Sequence, residues 1–387
     1  MSINSRRRLS PRWWRWGGQA VVLLLVGYGI LYLGLNLALN LQRLNLPFGF
    51  DFLERQAGFS IGETPIAYQP TDFYARALWV GLLNSLKVMG TGLVLTTVVG
   101  ITVGIARLSN NWLVRQLALV YVEVLRNTPL LLQLLFWYFA VFLALPNFSD
   151  RIQWPGPILL SNQGILIPWL QINSATGVWS LCLLLGGIGA VFLWKRQARQ
   201  QLEQGRPGQL KTWPLGAIAL SIFIARIWTQ QAPLTLSLPQ VTAGRATGGL
   251  TLSSEFATLL VGLTLYTAAF IAEIVRAGIT AVNQGQREAA QALGLKPGIT
   301  MRLVIFPQAL RVIVPPLTSQ YLNLAKNSSL AIAIGFPDIY AVASTTFNQT
   351  GRAVEVLLLL MATYLTISLL ISLLMNLYNR SIQLVER

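Results

Sequence analysis

Apolar residues in this chain gather into long blocks separated by polar connections. Eight blocks qualify as membrane spans: residues 19–41, 78–106, 117–145, 178–194, 214–228, 256–281, 312–336 and 356–378. Crossing ~30 Å of hydrocarbon takes ~20 mostly apolar residues at a helical rise of ~1.5 Å. The fourth and fifth blocks sit at the short end, and Arg226 lies inside the fifth. The pattern predicts an all-α fold, a polytopic transmembrane bundle of about eight spans.

Lysine and arginine placement orients that bundle. With the N-terminus inside, 19 of the 29 basic residues occupy inner segments and six, Arg43, Arg55, Arg76, Arg151, Arg245 and Arg352, occupy outer ones. The other four, Lys87, Arg126, Arg226 and Lys326, fall within spans. Inner excess of Lys and Arg sets topology, so both termini are expected in the cytoplasm. The basic run from Lys195 to Lys211 is inside only if both short blocks cross.

Composition excludes several classes. Hydrophobic residues make up 54% and charged residues 11%, against roughly 25% charged in a soluble domain. The net charge of +16 punctuates apolar segments instead of gathering on one face, which argues topology and not nucleic-acid binding. The chain has no histidine and one cysteine, Cys182; a disulfide, a Cys/His metal site and a histidine base are all excluded. Cys182 is expected as a small apolar packing residue. The start, with Arg6, Arg7 and Arg8, resembles a signal peptide's basic region. The apolar block that follows is too long and lacks a cleavage site, so a retained first span is expected.

The inner connection before the seventh block carries the most information. It runs Gly285-Gln-Arg-Glu288-Ala289-Ala290-Gln-Ala-Leu-Gly294-Leu-Lys-Pro297, then on to Ile305-Phe306-Pro307. Residues 288–293 favour helix, and Gly294 can end it at positive φ. Pro297 suits the first turn of a second short helix, and Pro307 is expected to end that one. The result is a helix, a sharp turn and a helix along the membrane surface. Ala289, Ala290 and Ala292 keep the first helix narrow.

Glu288-Ala289-Ala290, Gly294 and Ile305-Phe306-Pro307 together resemble the EAA signature of the inner-membrane subunits of ATP-binding-cassette importers. Tyr266 to Gly278, Tyr121 to Gln133, Pro307 to Pro316 and Lys326-Asn327-Ser328-Ser329-Leu330 are similar to segments of the polar amino-acid permeases, in the same order. The resemblance covers roughly residues 76–145 and 253–380, about five spans. Phe306-Pro307 departs mildly from the more usual Leu-Pro. The extended chain is similar to the larger permeases of general L-amino-acid importers. The division implied is 1–75, a basic tail, first span and outer loop; 76–145, the first part of the core; 146–252, an insertion; and 253–387, the second part with the loop at 285–307.

That resemblance implies a permease subunit in a bacterial inner membrane, importing amino acids. Its partners would be separate ATPase subunits docked on the loop, a second permease and a periplasmic amino-acid-binding protein. Glu288, Ala289, Ala290, Gly294 and Pro307 would form the coupling element, with Gly294→Asp expected to uncouple transport. No cofactor or metal is expected on this chain. No Gly-Lys dipeptide occurs, so there is no phosphate-binding loop of that kind, and ATP would be hydrolysed by the partner.

Polar residues inside spans need partners or water. Asn127, Thr128 and Gln133 adjoin Pro129 in the third block, and Lys326, Asn327, Ser328 and Ser329 interrupt the seventh. Two readings stand: helix-to-helix hydrogen bonding, or the lining of a translocation path. Glu273 with Arg276, and Glu123 with Arg126, are spaced for intrahelical ion pairs. Gly100 and Gly104 are assigned to close helix packing. The rival function is an ion-gradient-driven carrier, although carboxylates near the midplane are scarce.

Overall fold

The structure, a computed structural model, describes residues 11–43, 48–204, 213–242 and 245–382. Arg6, Arg7, Arg8, Arg206, Lys211 and Arg387 of the topology reading lie outside the described residues. Helices dominate. α1 is Pro11–Arg43, α2 Tyr74–Ala106 and α3 Trp112–Asn127. α4, Leu130–Leu135, continues into a wider π turn over Phe136–Phe142. After an outer region come α5 Thr176–Gln204 and α6 Trp213–Thr229, then α7 Ser254–Thr280, α8 Gln284–Ala292, α9 Pro297–Thr300, α10 Phe306–Asn327, α11 Ile339–Thr350 and α12 Ala353–Ile382.

One expectation is corrected here. The chain is mostly helical but not all-α: among the described residues eight short strands form in the connections around α5 and α6. β1 Ile152–Trp154, β2 Ile158–Ser161, β3 Gly164–Ile167 and β8 Leu250–Ser253 make one antiparallel sheet in that order. β4 Trp169–Ile172 pairs with β5 Leu234–Ser237, and β6 Gln240–Thr242 with β7 Arg245–Thr247. Each strand spans only three or four residues, too short for a periodic signal beside the apolar blocks that flank them.

The eight expected spans are matched in part. Among the described residues six helices are long and apolar enough to cross a membrane, or seven if one bent pair counts as a span. The pair is α3 with Leu130–Phe142, bent by 106°, where a single third span was expected. The expected fifth span has 17 described residues as α6, at the short end of what such a crossing takes.

The core is built on α2 and α7, which lie against each other along most of their lengths. Close approach is set by Gly100 and Gly104. A Cβ on Gly100 would meet Ile271 at 2.5 Å, and one on Gly104 would meet Val275 Cβ at 2.7 Å. α10 packs on α7 and α12, while α11 packs on α2. Val88, Leu130, Leu134, Leu259, Leu263, Ala331 and Ile334 close one apolar cluster, which joins α4 to the segment after α10. Cys182 is partly buried against Ala175, Trp179 and Ala225 between α5 and α6.

Candidate functional site

The loop after α7 is shaped by its caps. The Asn283 carboxamide oxygen accepts from the Gly285 N–H at 2.8 Å and starts α8. At the other end Gly294 takes φ +72°, its N–H donates to the Gln291 carbonyl at 2.9 Å, and the Leu295 N–H donates to the Ala290 carbonyl at 3.1 Å. This paired bonding with a left-handed residue at the turn is the glycine-terminated helix end that uses the last free carbonyls. Pro297 then opens α9, its missing N–H lying where a helix has no internal acceptor.

Pro307 does not end that helix, contrary to expectation. From Met301 to Ile305 the helix widens into a π turn, and Pro307 sits in the first turn of α10 that follows. Widening the turn accommodates the absent donor and the proline ring, so the axis continues. Two further bonds hold the loop to the bundle. An Arg287 guanidinium N–H donates to the Ile279 carbonyl at 3.0 Å, and Gln308 donates to Gln286 at 3.4 Å.

One side of α8 is buried and the rest is open. Ala290 is buried, whereas Glu288, Ala289, Ala292 and Gly294 are exposed and Leu293 is 80% exposed. Glu288 accepts from Gln284, one turn earlier. An open cleft of about 470 Å³ runs between the end of α7 and α8, lined by Asn283, Gln284, Arg287, Glu288 and Gln291 among others.

Both polar clusters mark helix breaks. Pro129 forces Thr128 into extended conformation, φ −104° and ψ 129°, so α3 stops at Asn127. The buried Gln133 amide donates to the Leu125 carbonyl at 2.9 Å and the Thr128 carbonyl at 3.0 Å, which braces the bend. Thr128 donates back to Val124, and Asn127, exposed, donates to Glu123. In the second cluster α10 tightens into a 3-10 segment, Ser328–Ile334, closed by Gly335 at φ +79°. Ser328 donates to the Ala325 carbonyl and Ser329 to the Lys326 carbonyl, while Asn327 is half-buried. Lys326 is exposed and, among the described residues, has no carboxylate within 4 Å.

Of the two expected ion pairs one forms. Glu273 holds Arg276 at 2.5 Å and also pairs with Arg107, tying the end of α2 to α7. Glu123 and Arg126 do not pair; the Arg126 guanidinium lies 5.1 Å from the Phe270 ring centre instead. The structure adds a link that sequence reasoning missed. Lys87 of α2 bonds Glu63 of the connection before α2 at 2.5 Å, and Ser253 donates to the other Glu63 oxygen at 2.7 Å. A lysine inside an apolar span was the available signal for it.

The chain matches the family model described as binding-protein-dependent transport system inner membrane component, over residues 96–384. The chain belongs to that family. It is 46% identical to the putative amino-acid ABC transporter permease protein YhdX of Escherichia coli, over 91% of this chain and 90% of that one. It is 43% identical to the general L-amino acid transport system permease protein AapQ of Rhizobium johnstonii, over 95% and 91%. The glutamate/glutamine/aspartate/asparagine transport system permease protein BztB of Rhodobacter capsulatus is also 43% identical, over 95% and 93%. As an inner membrane component of this family, the chain is a multi-pass permease subunit and not itself an enzyme. EAA motif and helix–turn–helix loop are in keeping with that membership.

Proposed function

We propose that this permease imports amino acids into the cytoplasm and is driven by a separate ATPase that docks on the loop at 284–307. The observation that carries the coupling role is the helix end at Gly294. It leaves Ala289, Ala292 and an 80%-exposed Leu293 uncovered beside Glu288, on a loop braced back to α7 and α10. These small and apolar side chains, held out by a rigid turn, give a narrow helix face on which another protein can seat. Amino acids as cargo follow from the printed names of three relatives that match nearly the whole chain.

The assembly would hold a second permease, a periplasmic amino-acid-binding protein and two ATP-binding subunits in a bacterial inner membrane. Both termini face the cytoplasm and α6 completes an eight-span count, its outer end helped by the strands that follow. Asn127, Thr128, Lys326, Asn327, Ser328 and Ser329 border the translocation path at two helix breaks, with Gln133 holding one break open. Closure of the ATPase would move α8 and, through Arg287 and Gln308, tilt α7 and α10 as rigid bodies.

The test is uptake by proteoliposomes containing the whole complex, with ion gradients collapsed by ionophores. Labelled amino acid should accumulate only when ATP reaches the ATPase side. Uptake that follows an imposed sodium or proton gradient without ATP would replace this reading with the ion-driven carrier.

A further inference from the structure

α5 and α6 form a hairpin that stands on its own. Gly186 of α5 seats directly against Ser221 of α6, where a Cβ would clash, and Ala175, Trp179 and Ala225 fill the outer end of the seam. Around that seam the surface is apolar on every side, with Leu184, Ile188, Phe192, Leu220, Phe223 and Ile227 all exposed. A helix pair apolar all round is a lipid-facing one.

β4 and β5 continue this hairpin outward as a two-stranded ribbon. Asn173 donates to the Ala232 carbonyl at 2.8 Å, Thr176 to Pro233 at 2.5 Å, and the Trp179 indole to Thr229 and Gln231. Ribbon and hairpin are therefore one rigid arm. In the ribbon Leu170 stands opposite Leu236 and Ile172 opposite Leu234, while Trp169 faces Ser237 and Gln171 faces Thr235. Side chains alternate across a strand, so one face is four aliphatic residues and the other is tryptophan with polar residues. The aliphatic face is uncovered, with Ile172 80% and Leu236 62% exposed.

We infer that the aliphatic face of this ribbon is seated in the outer leaflet, at the boundary of headgroups and acyl chains. The inference rests on the reading of α5 and α6 as a membrane hairpin. Three observations point to lipid. The 17 described residues of α6 end at Thr229 and rise about 26 Å against ~30 Å of hydrocarbon, so a ribbon strand that begins at Leu234 begins at the outer boundary of that layer. Trp194 and Trp213 lie at the inner end of the arm and Trp228 and Trp169 at the outer end, all exposed, as tryptophans do at the two interfaces. No charged residue occurs from 152 to 194 or from 227 to 244, so the ribbon lacks the charges that a water-facing edge strand normally carries. Its open backbone edges keep it at the interface, where water reaches them, and out of the hydrocarbon centre.

The experiment uses the full chain with its native cysteine removed by Cys182→Ser, reconstituted in bilayers. Spin labels go on Ile172→Cys and Leu236→Cys for the aliphatic face, Gln171→Cys and Thr235→Cys for the other, and Ile188→Cys in the hairpin. Collision with oxygen is compared with collision with a water-soluble nickel chelate. The expected result is an oxygen-to-nickel ratio several-fold higher at 172 and 236 than at 171 and 235, approaching that at 188. Equal ratios on both faces, with 188 in lipid, would overturn the inference while leaving the hairpin intact. Protection of 172 and 236 from both probes would also overturn it and show a protein covering the face. Nickel access at 188 would instead refute the membrane hairpin itself.

Discussion

Gly104→Ala perturbs the α2–α7 seam at the place where the two backbones come closest. The added Cβ would lie 2.7 Å from Val275 Cβ and 2.8 Å from the Ala272 carbonyl oxygen. Carbon pairs settle at ~3.5–4.0 Å, so the shortfall is about 1 Å. Neither neighbour can rotate away, because one is backbone and the other a β-branched Cβ. α2 and α7 must move apart, and such overpacking costs about 1–3 kcal/mol. Gly90→Ala on the same helix is the control, since nothing lies within 4 Å of its Cβ. Both changes raise helix propensity by about 0.5–1 kcal/mol, so that gain cancels in the comparison. Unfolding of purified protein in mixed micelles by increasing SDS, followed by tryptophan fluorescence, reads the difference. Gly104→Ala should unfold about 1–3 kcal/mol more easily than Gly90→Ala. Coincident unfolding curves would refute the claim that Gly104 sets the helix approach.

At Gly294 nothing lies within 4 Å of an added Cβ, so only the φ of +72° resists substitution. A residue other than glycine costs about 1–2 kcal/mol in that region, least for Asn and Asp; Gly294→Val should therefore cut ATP-coupled uptake most, and the Gly294→Asp change expected from sequence to uncouple transport should cut it less, as should Gly294→Asn. Gln133→Leu leaves the Leu125 and Thr128 carbonyls without their donor, which should lower stability by about 1–3 kcal/mol in the same SDS titration. Glu273→Gln removes the anion between Arg107 and Arg276 and should loosen the inner ends of α2 and α7, seen as faster proteolysis at residues 107–111. Asn327→Ala with Ser329→Ala should reduce amino-acid uptake with assembly intact; wild-type uptake would remove both from the path.

The parts of this fold legible in sequence were those fixed locally. Apolar length marked α1, α2, α7 and α12, and Gly294 with Pro297 announced the turn between α8 and α9, because caps depend on a few adjacent residues. What sequence concealed depended on partners far along the chain. The bend at Pro129 needed Gln133 to satisfy the freed carbonyls, so proximity of polar residues to a proline did not reveal a 106° turn. Pro307 looked like a helix stop, and only a π turn upstream lets the helix pass through it. Glu123 and Arg126 have the same spacing as Glu273 and Arg276, yet the ring of Phe270 holds Arg126 instead. The Glu63–Lys87 link joins α2 to the connection before it across 24 residues, which no helical spacing could suggest.

Docking of an ATP-binding subunit on the loop at 284–307 is tested most directly by co-purification from detergent. Wild type, Glu288→Ala and Gly294→Val would be compared for retention of the ATPase at equal yields of folded permease. Wild type should carry the ATPase, Glu288→Ala should carry less, and Gly294→Val should lose most of it. Full retention by Gly294→Val, or a well-folded wild type that carries no ATPase, would contradict the coupling role of the loop.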